Sequence, residues 1–201
     1  MFNPTGLISS EEAALVAAVL AGNKDAFRRL IHQYERLVVA MVYKMVVQRE
    51  DAEDLCQDVF LKVYEKLPSF RFGSKLSTWI GSITFNTCVS FLRKKKPVLL
   101  HDLKNPGPEN EDIDGDTGLW MKDAANGPEE SLLYKEREAL LAKGFDRLTV
   151  IQRTILLLFH QAGMSLQEIV TVTALPLSTV KSHLFRARKQ LKADMDKQLN
   201  R

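Results

Sequence analysis

MSLQEIVTVTALPLSTVKSHLFRARKQLK, residues 164–192, is the stretch whose pattern decides the fold. Ser165 and Glu168 have the spacing of a capping box, which opens a short helix running to about Ala174. Leu175, Pro176 and Leu177 make a turn, and Ser178 or Thr179 is placed to cap a second, longer helix over about 178–198. A short helix, a brief turn and a longer helix follow the helix-turn-helix plan. At about 100° per residue, Val180, Leu184, Ala187, Leu191 and Met195 form one narrow apolar stripe. Lys181, Ser182, Phe185, Arg186, Arg188 and Lys189 fall outside it, and Lys181 to Lys192 carries five basic side chains and no acidic one. A helix of this width fits the major groove. Its Arg and Lys reach guanine edges or phosphates, Ser several base edges, and Phe185 a thymine methyl. A merely solvated basic face is the alternative, and the capped turn beside the helix favours DNA.

Upstream, the pattern stays helical. Ser9 and Glu12 form a second capping box before an alanine-rich segment that stops at Gly22. From about residue 23 or 25 to 47, Phe27, Leu30, Ile31, Tyr34, Val38, Met41, Val42 and Met45 recur at helical spacing. A third helix is expected over 51–67, ending before Pro68, and a fourth over about 77–96, ending before Pro97. Further helices are expected at about 129–143, 149–162 and 165–173. No segment has a strand period, so the expected fold class is all-α.

The net charge of +3 over 201 residues hides a division. Residues 1–96 hold 14 basic and 10 acidic side chains, and residues 131–201 hold 12 and 6. Residues 97–130 hold 2 basic and 9 acidic, with four Pro and four Gly and no period. This composition marks a flexible acidic linker whose ends would lie ~30–35 Å apart. The chain is therefore expected to divide into two small helical domains, 1–96 and 131–201, joined by the linker 97–130; a long surface loop within one domain is the alternative. Two cysteines, Cys56 and Cys88, make neither a disulfide framework nor a zinc site by themselves. No run approaches the ~18 apolar residues of a membrane span, and no signal-peptide pattern opens the chain. A cytoplasmic protein is expected.

Two surfaces stand out in the first domain. On the third helix Asp51, Asp54 and Asp58 share one face, bordered by Gln57, opposite an apolar face of Cys56, Val59, Phe60, Val63 and Leu67. Aligned carboxylates repel each other and DNA, so this face is expected to meet a basic protein surface. First-turn charges favoured by the helix dipole and a carboxylate metal site are the alternatives. LPSFRFGSKLSTW then places Phe70 and Phe72 among Arg71 and Lys75, an interleaving suited to unstacked bases. Packing of both rings on the core is the alternative. The fourth helix is apolar around most of its girth. It leaves a polar strip of Ser82, Asn86, Ser90 and Arg93, with Trp79 at one end and Arg93 to Lys96 at the other. Asn86 has the donor and acceptor needed to read a base edge.

Together these motifs resemble the extracytoplasmic-function (ECF) sigma factors, the small sigma-70-type subunits of bacterial RNA polymerase. DAEDLCQDVFLKVYEKL, residues 51–67, is similar to the family's polymerase-docking segment. KLSTWIGSITFNTCVSFLRKKK, residues 75–96, is similar to its −10 recognition and melting segment, and residues 164–192 to its −35 reader. The resemblance implies docking on core polymerase, on the β′ clamp helices through Asp51, Asp54, Gln57 and Asp58, and on the β flap. It implies single-stranded −10 contacts by Phe70, Arg71, Phe72, Lys75, Trp79, Ser82, Asn86, Arg93 and Lys94. It implies duplex −35 contacts by Ser178, Thr179, Lys181, Ser182, Phe185, Arg186, Arg188 and Lys189. It also implies an anti-sigma factor as a partner, no catalytic residue, no metal or other cofactor and no small-molecule substrate. Ala174 and Ser178 stand where the family often has glycine, and His183 where Arg is common. A two-domain DNA-binding regulator that never joins polymerase explains the last helix but neither the acidic face nor the aromatic loop.

Overall fold

Three helices open with the same reciprocal pair of hydrogen bonds. Ser9 Oγ accepts from the Glu12 amide at 3.1 Å while Glu12 Oε2 accepts from the Ser9 amide at 3.2 Å. Thr149 with Gln152, and Ser165 with Glu168, repeat the arrangement. Each box satisfies amide groups that the first helical turn leaves without partners. The structure is a computed structural model that describes residues 9–95, 144–145 and 147–199. The linker 97–130 and the helix expected at about 129–143 lie outside the described residues.

Among those residues the elements are all helical. α1 spans Ser10–Leu20 and ends at Gly22, whose φ of 84° suits a residue without Cβ. α2 spans Lys24–Met45, capped by the Asn23 side chain on the Asp25 and Ala26 amides. Its Leu30, Val38, Met41 and Val42 are fully buried, each worth about 1.5–3 kcal/mol of transfer from water. Tyr34 donates to Glu12 across to α1, and burial, then Glu12, pushes its phenol up. α3 spans Arg49–Lys66 and runs into a short 3-10 turn, Leu67–Ser69, that contains Pro68. α4 spans Leu76–Lys95 and is buried on most sides.

The second group is α5, Val150–Leu156, which widens into a π-helical turn over Leu157–Gln161, then α6, Leu166–Thr173, and α7, Leu177–Leu199. α6 closes on Ala174 in the left-handed region at φ 56°, with its amide on the Val170 carbonyl at 2.8 Å. α7 begins one residue earlier than the caps expected from sequence. The Pro176 carbonyl accepts from the Val180 amide at 3.0 Å, so Ser178 and Thr179 lie inside the first turn and cap nothing. Proline explains the shift, because its fixed φ and missing N–H fit the edge of a helix at no cost in hydrogen bonds.

The two groups are in contact, α2 against α5 and α4 against α6, and share one buried core. The acidic linker pattern predicts two modules able to act apart, whereas the described groups pack on one another. α4 and α6 approach closely at Gly81, where a Cβ would stand 3.2 Å from Val172 Cγ2 and 3.6 Å from Met164 Cε.

Candidate nucleic-acid and protein interfaces

α7 presents its apolar stripe inward as the periodicity required. Val180, Leu184 and Ala187 are buried, with Leu191 packed against the core. Ser178, Lys181, Ser182, Phe185 and Lys189 fall within about 100° of arc on the other side. Lys181 and Lys189 are exposed, and Lys189 Nζ sits 5.9 Å from the Phe185 ring centre. Arg186 Nε donates back to the Ser182 carbonyl at 3.3 Å.

Two of the expected duplex contacts are placed otherwise. Thr179 is only 8% exposed. Arg188 leans on the π-helical turn, with Nη2 3.2 Å from His160 Nε2 and its guanidinium carbon 5.1 Å from the Phe159 ring centre. Burial, then the Arg188 charge, pushes the His160 imidazole below its ordinary value, which suits an accepting Nε2. The π turn that creates this contact has no simple sequence signal.

The aromatic loop is a stack. Phe70, 6% exposed, lies between Phe72 at 5.0 Å and Trp79 at 5.1 Å, all at tilted angles. Phe70 is thus the buried floor of the loop, and Phe72 and Trp79 are its half-buried flanks. Phe72 holds φ at 58°, a conformation that costs an L-residue about 1–2 kcal/mol. Arg71 is exposed and donates to the Pro68 carbonyl at 3.1 Å. Lys75 is paired with Glu168 of α6 at 3.0 Å, and Ser82 Oγ donates to the carbonyls of Thr78 and Thr171 at 3.1 and 3.2 Å.

Beside the stack lies a hollow of about 220 Å³ lined by Lys62, Lys66, Trp79, Ser82, Ile83, Asn86, Thr87 and Ser90. Asn86 is exposed at its rim. Lys62 and Lys66 were missed in the sequence. Their i, i+4 spacing on α3 was visible, but only the fold shows that they line the same hollow as the α4 strip. Arg93 and Lys94 are exposed at the C-terminal end of α4, where the helix dipole favours cations.

The acidic face of α3 borders a second hollow, about 410 Å³, lined by Asp51, Asp54, Leu55, Gln57, Asp58, Leu61 and Phe91. Its carboxylates are not equivalent. Asp51 is engaged by Lys95 at 2.5 Å, and Asp58 by Lys62 at 3.4 Å. Asp54 and Gln57 carry no hydrogen bond or ion pair among the described residues, and both are exposed. Leu61, 60% exposed among them, is an apolar anchor that the sequence pattern did not single out. No group of His, Cys, Asp and Glu able to hold a metal occurs among the described residues. No described helix is long and apolar enough to cross a membrane.

Comparison with known proteins adds to this geometry. Residues 30–98 match the Sigma-70 region 2 family, and residues 139–191 match the Sigma-70, region 4 family. The RNA polymerase sigma-H factor of Pseudomonas aeruginosa is 32% identical over 187 residues, 92% of this chain and 94% of its own length. The ECF RNA polymerase sigma factor SigW of Bacillus subtilis is 28% identical over 182 residues, 90% of this chain and 94% of its own. Among solved structures, CnrH in complex with the cytosolic domain of CnrY superposes with a TM-score of 0.58 at 20% identity, covering 91% of this chain and 96% of that one. The sigma factor RpoE in complex with the anti-sigma factor NepR, from Bartonella quintana, gives 0.58 at 23%, covering 85% and 96%. At these identities the two structures speak for the fold alone.

Proposed function

The chain belongs to the sigma-70 family, as an ECF sigma factor, and on that premise we propose how its surfaces divide the work of promoter recognition. A sigma factor directs RNA polymerase to promoters and carries out no chemistry of its own. The observation that carries the assignment of parts is the presence on one chain of three unlike surfaces: acidic, aromatic-basic and helical-basic.

Residues 1–96 dock on core polymerase and open the −10 element. Asp54, Gln57 and Asp58 supply charge and hydrogen bonds toward the β′ clamp helices, Leu61 fills an apolar contact, and Asp51 joins once Lys95 releases it. Phe72, Trp79 and Asn86 hold an unstacked −10 base over the Phe70 floor. Lys75, Lys62, Lys66, Arg71, Arg93 and Lys94 neutralise the strand's phosphates. Ser82 lines the same strip. Residues 131–201 read the −35 duplex through Ser178, Lys181, Ser182, Phe185, Arg186 and Lys189, with region 4 also meeting the β flap. Thr179 and Arg188 shape that helix from behind. Residues 97–130 span the distance between the two elements. The protein works in the cytoplasm, and an anti-sigma factor is its natural inhibitor.

The test is run-off transcription with core polymerase on genomic fragments, mapped at the start site. Discrete start sites that depend on the added chain are expected. A chain that binds duplex DNA but fails to pull down core polymerase would sink the assignment in favour of a free-standing regulator.

A further inference from the structure

A third hollow, of about 200 Å³, opens where α2, α7 and the π-helical turn meet. Its body is apolar, made by Phe145, Leu156 and Leu157 together with Leu191 and Met195 of α7. Leu156 and Leu157 are buried, whereas Phe145, Leu191 and Met195 are half-buried, so a packed floor meets walls that still touch solvent. Lys44 of α2 and Arg188 and Lys192 of α7 complete this lining with three cations. No carboxylate is among the described lining residues. Asp194, which lies between Lys192 and Met195 in the chain, is taken by Arg147 at 2.7 Å.

The cations are held in different ways. Lys44 Nζ lies 5.1 Å from the Phe145 ring centre. Arg188 is fixed by His160 and Phe159. Lys192 is exposed and makes no hydrogen bond or ion pair among the described residues. The π-helical turn marks the same place independently. It supplies Leu157, His160 and Gln161 to the lining, and it carries His160 to Arg188, which holds the guanidinium beside the apolar body. Such turns are rare and occur frequently at functional sites.

An open apolar body edged by cations complements a molecule of the opposite make, with an apolar body and one negative end. Pockets for drug-sized ligands span ~300–1,000 Å³, so this hollow suits a smaller molecule. We propose that the hollow between α2, α7 and the π-helical turn is a binding site for a small lipophilic anion, a carboxylate or phosphate monoester on a short apolar chain. The site is separate from the three surfaces assigned to promoter recognition and does not rest on that reading.

Isothermal titration calorimetry on the full chain tests it, with octanoate, octyl phosphate, hexanoate and octylamine as probes. Octanoate should bind at one site per chain. Each buried methylene contributes roughly fourfold in affinity, so hexanoate should bind about fifteenfold more weakly. Octylamine, with the same chain and the opposite charge, should bind about tenfold more weakly or worse. The tighter of octanoate and octyl phosphate identifies the head group, and either order supports the site. Lys44→Gln with Lys192→Gln should weaken octanoate about tenfold while keeping the ratio of octanoate to hexanoate. Met195→Trp fills the hollow from a half-buried position near the end of α7 and should abolish uptake. Octanoate should raise the unfolding midpoint of the wild type and not that of Met195→Trp, a measurement that also shows whether the variant is folded. Absence of octanoate binding, equal affinity for octanoate and octylamine, or undiminished affinity in the lysine pair overturns the site. A Met195→Trp chain that still takes up octanoate yet fails to pull down core polymerase overturns it as well, in favour of a protein-docking surface.

Discussion

Lys181→Ala combined with Lys189→Ala, set against Arg188→Ala, separates the exposed cations of α7, proposed above to meet DNA, from the one that lies against the protein. Sequence spacing put all three on the duplex, whereas the structure leaves the two lysines exposed and turns Arg188 onto His160 and Phe159. Each phosphate neutralised contributes about 0.9 to the slope of log affinity against log salt, so the double lysine variant should flatten that slope by about 1.8. Between 50 and 200 mM salt, the wild type should lose about twelvefold more affinity than the variant, on any duplex, because phosphate contacts ignore sequence. Arg188→Ala should leave the slope unchanged. Its effect should appear as about 1–2 kcal/mol of lost stability, from a hydrogen bond to His160 and a cation–ring contact. Fluorescence anisotropy over a salt titration measures the first quantity and denaturant unfolding the second. A slope that falls by about 0.9 in Arg188→Ala and stays fixed in the lysine pair would refute the placement of these side chains.

Asp54→Ala with Asp58→Ala should weaken core polymerase binding several-fold in a pull-down titration while leaving duplex affinity intact, and equal loss of both would mean misfolding. Leu61→Ala should cost polymerase affinity about fivefold with little change in unfolding midpoint, since the side chain is already mostly in water. Ala174→Gly should stabilise the turn between α6 and α7 by about 0.5–1 kcal/mol, the relief of a left-handed Cβ less the extra freedom of glycine in the unfolded chain. His160 has its pKa lowered in the fold, so the unfolded chain binds more protons as pH falls below about 6.5. Stability should therefore be complete above that pH and decline beneath it. His160→Gln should remove that part of the slope in unfolding curves taken from pH 7 down to about 5.

The helices were legible because their signals are local. Ser165 with Glu168, and Ser9 with Glu12, announce caps within four residues, and the α7 stripe announces its buried side. What was not legible depends on partners far away in the chain. Ser82 read as part of a polar strip, and nothing in that strip says that α6, about 90 positions later, will cover it together with the neighbouring Thr78 and Gly81. Arg188 read as one more cation, because the π turn that brings His160 and Phe159 to it depends on how α5 ends against α7. Lys62 and Lys66 carried no sequence signal beyond their i, i+4 spacing on α3, and only the crossing of α3 with α4 places them beside Asn86. The sequence pattern therefore marked three surfaces of distinct chemistry but not which of their side chains are already engaged within the fold.

The two thiols carry a consequence for how the folded chain meets sulfur-seeking reagents. Burial, reinforced by Cys56, pushes the Cys88 thiol up to about 12, and burial raises Cys56 as well. Burial thus disfavours the thiolate, the form that oxidants and soft metals attack. Reagents that need a thiolate therefore find neither sulfur prepared for them by its surroundings in the folded chain.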